Sequence, residues 1–169
     1  MSLIKGLQQA GVPAALGAAL LFGAGTPLAK LLLSDVGPWL LAGLLYLGSG
    51  LGLLLYRRLR RAPRVRLARD EAPWLAGAIL AGGVLAPVLL MLGLAGMPAA
   101  DVSLLLNAEG VFTALLAWFA FKENVDTRIA LGMTAIVAGA LVLSWPGEAR
   151  FAGLGPTLMV LGACLAWAV

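Results

Sequence analysis

Two side chains within an otherwise apolar stretch are able to do chemistry. The segment LLLNAEGVFTALLAWFAF, residues 104–121, carries Asn107 and Glu109. Read as a transmembrane helix, it places Glu109 about eight residues in, roughly 12 Å along the axis and somewhat outward of the midplane. An ionised carboxylate there costs about 2.5–3.5 kcal/mol on insertion scales. It must therefore be protonated, paired or turned toward a wet cavity. A carboxyl in that setting exchanges a proton, binds a substrate amine, or serves as a buried structural partner. Asn107 stands two positions earlier, so its side chain points about 160° away around the helix. Its amide suits either a polar ligand or an interhelical hydrogen bond.

A partner for Glu109 is available in LFGAGTPLAKLLL, residues 21–33. Lys30 falls near the outer end of that first helix, roughly 6 Å outward of Glu109 and within reach of its long side chain. It could hold the carboxylate ionised, meet a substrate carboxylate, or extend to the interface. Pro27 follows Gly25-Thr26 and predicts a kink that frees a backbone carbonyl. Freed backbone groups are tolerated at membrane depth where they line a cavity. Thr26, that carbonyl, Lys30, Asn107 and Glu109 are thus the candidates to bind substrate or proton. Pro87 predicts a second kink, with hinge motion as its functional reading. Glu123, beside Lys122 at a helix end, reads as a gating or structural contact.

The elements that must carry these residues follow from composition. Of 169 residues 62% are hydrophobic and only 12% charged, and mean hydropathy is +0.98. A soluble domain of this length needs far more polar surface. Six apolar segments are expected at 12–33, 37–56, 73–95, 101–121, 128–145 and 154–169, joined by short connectors rich in Pro, Gly, Asp and Asn. Each run is apolar on every side, which excludes the alternation of a transmembrane strand. The fold class is all-α, a polytopic transmembrane helix bundle. The glycine pairs Gly48/Gly52 and Gly132/Gly139 are expected to let helices approach closely.

Charge sets the expected orientation. Seven arginines (Arg57, Arg58, Arg60, Arg61, Arg64, Arg66 and Arg69) crowd the connector after the second segment. Placing it in the cytoplasm with Lys5, Lys122 and Arg128 puts ten of the twelve basic residues inside. The N-terminus is then cytoplasmic. The bases serve topology, so no nucleic-acid partner is expected. The chain has no histidine and one cysteine, Cys164, which reads as a small packing residue. No catalytic residue, metal site or cofactor is expected, and no Walker-type loop supports ATP hydrolysis.

The stretch LGAALLFGA (16–24) is echoed by LGACLAWAV (161–169), 145 residues later. That offset equals one set of five helices, and an odd-numbered unit repeated in tandem inserts upside down the second time. With LLLNAEGVFTALLAWFAFKENVDTRIALGMTAIVAGALVLSW, these stretches resemble the EamA-type permeases of the drug/metabolite transporter superfamily. The resemblance implies ten helices in two inverted five-helix repeats. Residues 11–145 would form the first repeat, and 154–169 the truncated start of the second, whose remainder would be a partner for this half. It implies a multi-pass permease of the plasma (bacterial inner) membrane. The expected activity is secondary active transport, in the direction of export, of small metabolites such as amino acids. Homo-oligomers are possible partners alongside the small-molecule substrate and the lipid bilayer. Many members carry Pro after the position of Glu109, where this chain has Gly110, so a weaker helix break is expected there. Two alternatives stay open: a small multidrug-type oligomeric exporter, and a membrane scaffold with no transport role.

Overall fold

The computed structural model describes residues 11–61, 68–122, 126–144 and 153–169, with side chains described only to 139 within 126–144. Six apolar rods follow one another: α1 (Gly11–Leu32), α2 (Pro38–Leu59), α3 (Ala72–Gly96), α4 (Ala99–Phe119), α5 (Thr127–Ser144) and α6 (Leu154–Ala168). No strand occurs among the described residues. The expected segments and these helices agree to within a few residues. α1 to α4 are each long and apolar enough to cross a bilayer. The chain is an all-helical, multi-pass membrane protein.

Proline and short polar residues set the helix ends. Pro38, Pro73 and Pro156 stand in the first turns of α2, α3 and α6, where no intrahelical amide donor is required. Pro98 immediately precedes α4. The Asp126 carboxylate accepts the Arg128 backbone N–H at 2.8 Å at the start of α5. At the opposite ends of α2 and α4, Arg61 (φ 48°) and Lys122 (φ 55°) turn the chain out of the helix in the left-handed region. Glu123, Trp145, Lys5, Arg64, Arg66 and Arg150 lie outside the described residues.

Burial gathers toward one end. Ala29 of α1, Leu41 and Ala42 of α2, Met91 and Leu94 of α3, and Val102 and Leu106 of α4 form one cluster with Met97, Val160 and Cys164. The first four helices thus contribute from the halves next to the α1–α2 and α3–α4 connectors. Their other halves leave Leu20, Leu54, Trp74 and Phe119 exposed. Such side chains cost nothing against lipid or a further helix.

The tightest packing joins the second half of α3 to α6. A Cβ added at Gly93 would lie 2.5 Å from Val160 Cγ2 and 3.0 Å from the Pro156 carbonyl oxygen. One added at Gly96 would lie 2.6 Å from Pro156 Cγ. Only hydrogen at both positions permits this approach of the two helices. The glycines expected to do this, Gly48, Gly52, Gly132 and Gly139, meet nothing within 4 Å. Spacing identifies a small-residue face but not whether a neighbour occupies it, and here α6 occupies the α3 face instead.

α3 itself is not regular. Between the α-helical pieces Ala72–Ala78 and Ala86–Gly96 it widens into a π-helical turn, Ile79–Leu85. The Ala86 amide bonds back to Ala81, five residues earlier. Pro87 follows directly and has no amide to donate. Pro87, where a kink is expected from sequence, lies directly after this wide turn.

Candidate functional site

The fourth span is also interrupted. α4 consists of Ala99–Leu105 and Ala108–Phe119, with Leu106 and Asn107 in a turn between them. Through this turn the backbone tightens from four-residue to three-residue spacing. The Asn107 amide bonds to Leu104 at 3.2 Å and the Glu109 amide to Leu106 at 3.2 Å. Each shift leaves behind the carbonyl that a regular α-helix would have used, at Ser103 and at Leu105 respectively.

Side chains take over those carbonyls. Asn107 Nδ2 donates to Ser103 at 3.3 Å and to Leu104 at 3.1 Å. Asn107 thus holds the turn from within its own helix, neither bridging two helices nor standing free as a ligand. The Leu105 carbonyl is reached by the Cys164 thiol of α6, at 3.6 Å. A helix break was expected to be weak with Gly110 after Glu109. It lies instead three residues earlier, stabilised by an amide side chain and a thiol rather than enforced by proline.

Glu109 opens the second piece of α4 and is half-buried. Among the described residues no hydrogen bond or ion pair engages its carboxyl. Its backbone carbonyl accepts the Thr113 hydroxyl at 2.9 Å, a local bond one turn on. The carboxyl is therefore available beside an irregular stretch of backbone in the middle of a hydrophobic span.

Lys30 goes elsewhere. Its ammonium donates to the Leu94 carbonyl at 2.6 Å and the Ala95 carbonyl at 3.1 Å. These belong to the last turn of α3, where carbonyls have no helical partner and the dipole is negative. Lys30 thus caps α3 and forms no ion pair with Glu109, contrary to the expected pair. The reason is chemical: α3 ends beside α1 with two unpaired carbonyl oxygens, and the ammonium satisfies both. Thr26 is buried at the same end of α1, and α1 continues as one helix through Pro27.

Three features escaped sequence reasoning. Asp101, in the first turn of α4, has its Oδ2 buried with no hydrogen-bond partner among the described residues. It stands at the first position of the expected segment 101–121, where the sequence assigns it no role. An acid two residues into a helix after Pro98 was the available signal. Trp167 donates its indole N–H to the Gly82 carbonyl at 2.9 Å. Cys164, expected only to pack, is fully buried and spans the gap to α4. No pattern along one strand of sequence pairs residues 59 and 85 positions apart.

An all-helical bundle with four helices long and apolar enough to cross a bilayer, one of them interrupted, defines a polytopic membrane protein. The model of the EamA-like transporter family matches residues 9–145, and the chain belongs to that family. A curated relative from Methanothermobacter thermautotrophicus, described as an uncharacterized transporter, is 27% identical over 168 residues. The match covers 90% of this chain and 49% of the relative, so the chain spans about half the length of the curated relative it matches. No solved structure matches.

Proposed function

We propose that the chain supplies one half of a secondary transporter that moves small polar metabolites, amino acids or related compounds, by alternating access. The observation that carries this reading is Glu109: half-buried, without a hydrogen bond or ion pair on its carboxyl among the described residues, and set beside the interrupted turn of α4. A carboxyl kept in a hydrophobic span without a structural partner costs free energy that a proton or substrate cation would offset. Discontinuous spans place polar backbone at the binding depth of many transporters. In this reading residues 11–145 form a five-helix repeat and 154–169 begin an inverted second one, supported by the echo of LGAALLFGA in LGACLAWAV. The arginine-rich connector faces the cytoplasm of a bacterial inner membrane, the N-terminus lies on the same side, and the direction of transport is outward.

Glu109 binds the proton or the substrate amine, Asn107 and Cys164 keep the turn open, and Lys30 fixes the α1–α3 contact that frames it. The test is solute flux by the full-length protein in vesicles, with and without an imposed proton gradient, screened over amino acids. Gradient-dependent flux that falls in Glu109→Gln at unchanged membrane abundance is the expected result. Absence of flux for every solute, or parental flux in that variant, sinks the assignment of the carboxyl.

A further inference from the structure

The wide turn of α3 has a carbonyl without a backbone donor, and two other helices supply it. The five-residue register used by Ala86 would pair the next amide, at position 87, with the Gly82 carbonyl. Position 87 is proline, so that carbonyl is left open. It accepts the Trp167 indole N–H of α6 at 2.9 Å and the Tyr46 hydroxyl of α2 at 3.2 Å, using both of its lone pairs. In an ordinary four-residue register the proline would instead orphan the Gly83 carbonyl and press its ring against it. The two donors therefore reach the carbonyl that belongs to the wide register and not to the ordinary one.

The flanking pieces differ in how firmly they are held. Ala86–Gly96 is clamped to α6 through Gly93 and Gly96, and its last turn is capped by Lys30. Ala72–Ala78 buries no residue, and Trp74 is 83% exposed. Gly82 and Gly83 in the turn itself carry no side chain to resist a change of backbone dihedrals. A clamped half, a permissive turn and an unclamped half make a hinge. π-Turns inside α-helices recur at functional positions.

We propose that Ile79–Leu85 is a hinge of the third span, held in its wide register by the Trp167 and Tyr46 donors on the Gly82 carbonyl. Releasing them lets Ala72–Ala78 change register against a fixed Ala86–Gly96. A one-residue register change rotates one half relative to the other by about 100° and shifts it by about 1.5 Å. Trp167 and Tyr46 act here as positioning residues, with no contact to a transported solute required.

The experiment reads distance, not flux, so its outcome is independent of the transport assignment. Spin labels are placed at Trp74→Cys and Ala95→Cys in the full-length protein carrying Cys164→Ser, and the distance distribution is measured by double electron–electron resonance in lipid. One narrow distribution is expected for this parent. Trp167→Phe with Tyr46→Phe keeps both aromatic bodies but removes both donors, and should shift the distribution or add a second population. Trp167→His, which keeps a ring N–H, should stay with the parent. Pro87→Ala returns a backbone amide donor, so the effect of the double substitution should fall by at least half in that background. An unchanged distribution in the double variant overturns the proposal. So does a His variant that behaves like Phe, or an effect of equal size in the Pro87→Ala background.

Discussion

α3 and α4 are both broken near the middle, yet in opposite ways. In α3 the turn widens, ahead of a proline, among glycines and with no charged residue in it. In α4 the turn tightens, without any proline, between an asparagine and a glutamate. Both leave an orphan carbonyl, and α6 answers both within one turn of helix: Cys164 to Leu105 and Trp167 to Gly82. The difference lies in what stands beside the break. The α3 turn has donors that match its register and nothing else, which suits a mechanical element. The α4 turn has an unpaired carboxyl, which suits binding. One helix thus donates to both.

The comparison breaks first at the contact that holds α6 in place. Gly93→Leu forces side-chain atoms into Val160 and Pro156, where even a Cβ is too close. Overpacking of this kind costs about 1–3 kcal/mol, and both interruptions should lose their α6 donors together. A thermal melt of the full-length protein in detergent checks it; a parental midpoint means that α3 and α6 do not share this frame.

Next comes the chemical side. Glu109→Gln should lower flux about tenfold, equivalent to about 1.4 kcal/mol, with the melting temperature held near the parent's because no partner is lost. A fall in stability instead of flux would make the carboxyl structural and erase the contrast with α3.

Smaller effects sharpen the picture within α4. Asn107→Ala removes both side-chain bonds to Ser103 and Leu104, costing about 1 kcal/mol, and should regularise the turn. Amide hydrogen exchange over residues 103–109 reports this, and identical exchange rates would mean the turn does not depend on the amide. Cys164→Ala should cost least, about 0.5 kcal/mol, since a thiol is a weak donor. Cys164→Ser, with a stronger donor of similar size, should restore or exceed parental stability in the same melt. A serine variant weaker than alanine would show that the thiol only fills space.

Much of this architecture was legible in the residues. The six rods and their proline-marked starts follow from hydropathy and from a missing amide, both local properties. Glu109 announced itself because a carboxylate in an apolar run is conspicuous wherever the helix packs. Lys30 was legible as a cation that must find a partner, but not which one. The two carbonyls that end α3 are invisible in sequence, since every residue has a carbonyl and only its helical position orphans it. The packing glycines failed for the same kind of reason: four candidates had the right spacing, and Gly93 and Gly96 had the neighbour.

By itself, then, the sequence determined that this chain crosses a membrane as helices, where those helices start, and that one of them keeps a carboxyl it can ill accommodate. Tertiary structure alone decided which groups meet. It sent Lys30 to the end of α3, left the Glu109 carboxyl without a hydrogen bond or ion pair among the described residues, and set Cys164 and Trp167 against two irregular spans. The physical reason is that hydropathy and amide chemistry act residue by residue. A hydrogen bond to a backbone carbonyl, by contrast, depends on which carbonyl the fold has left free and which helix it has placed beside it.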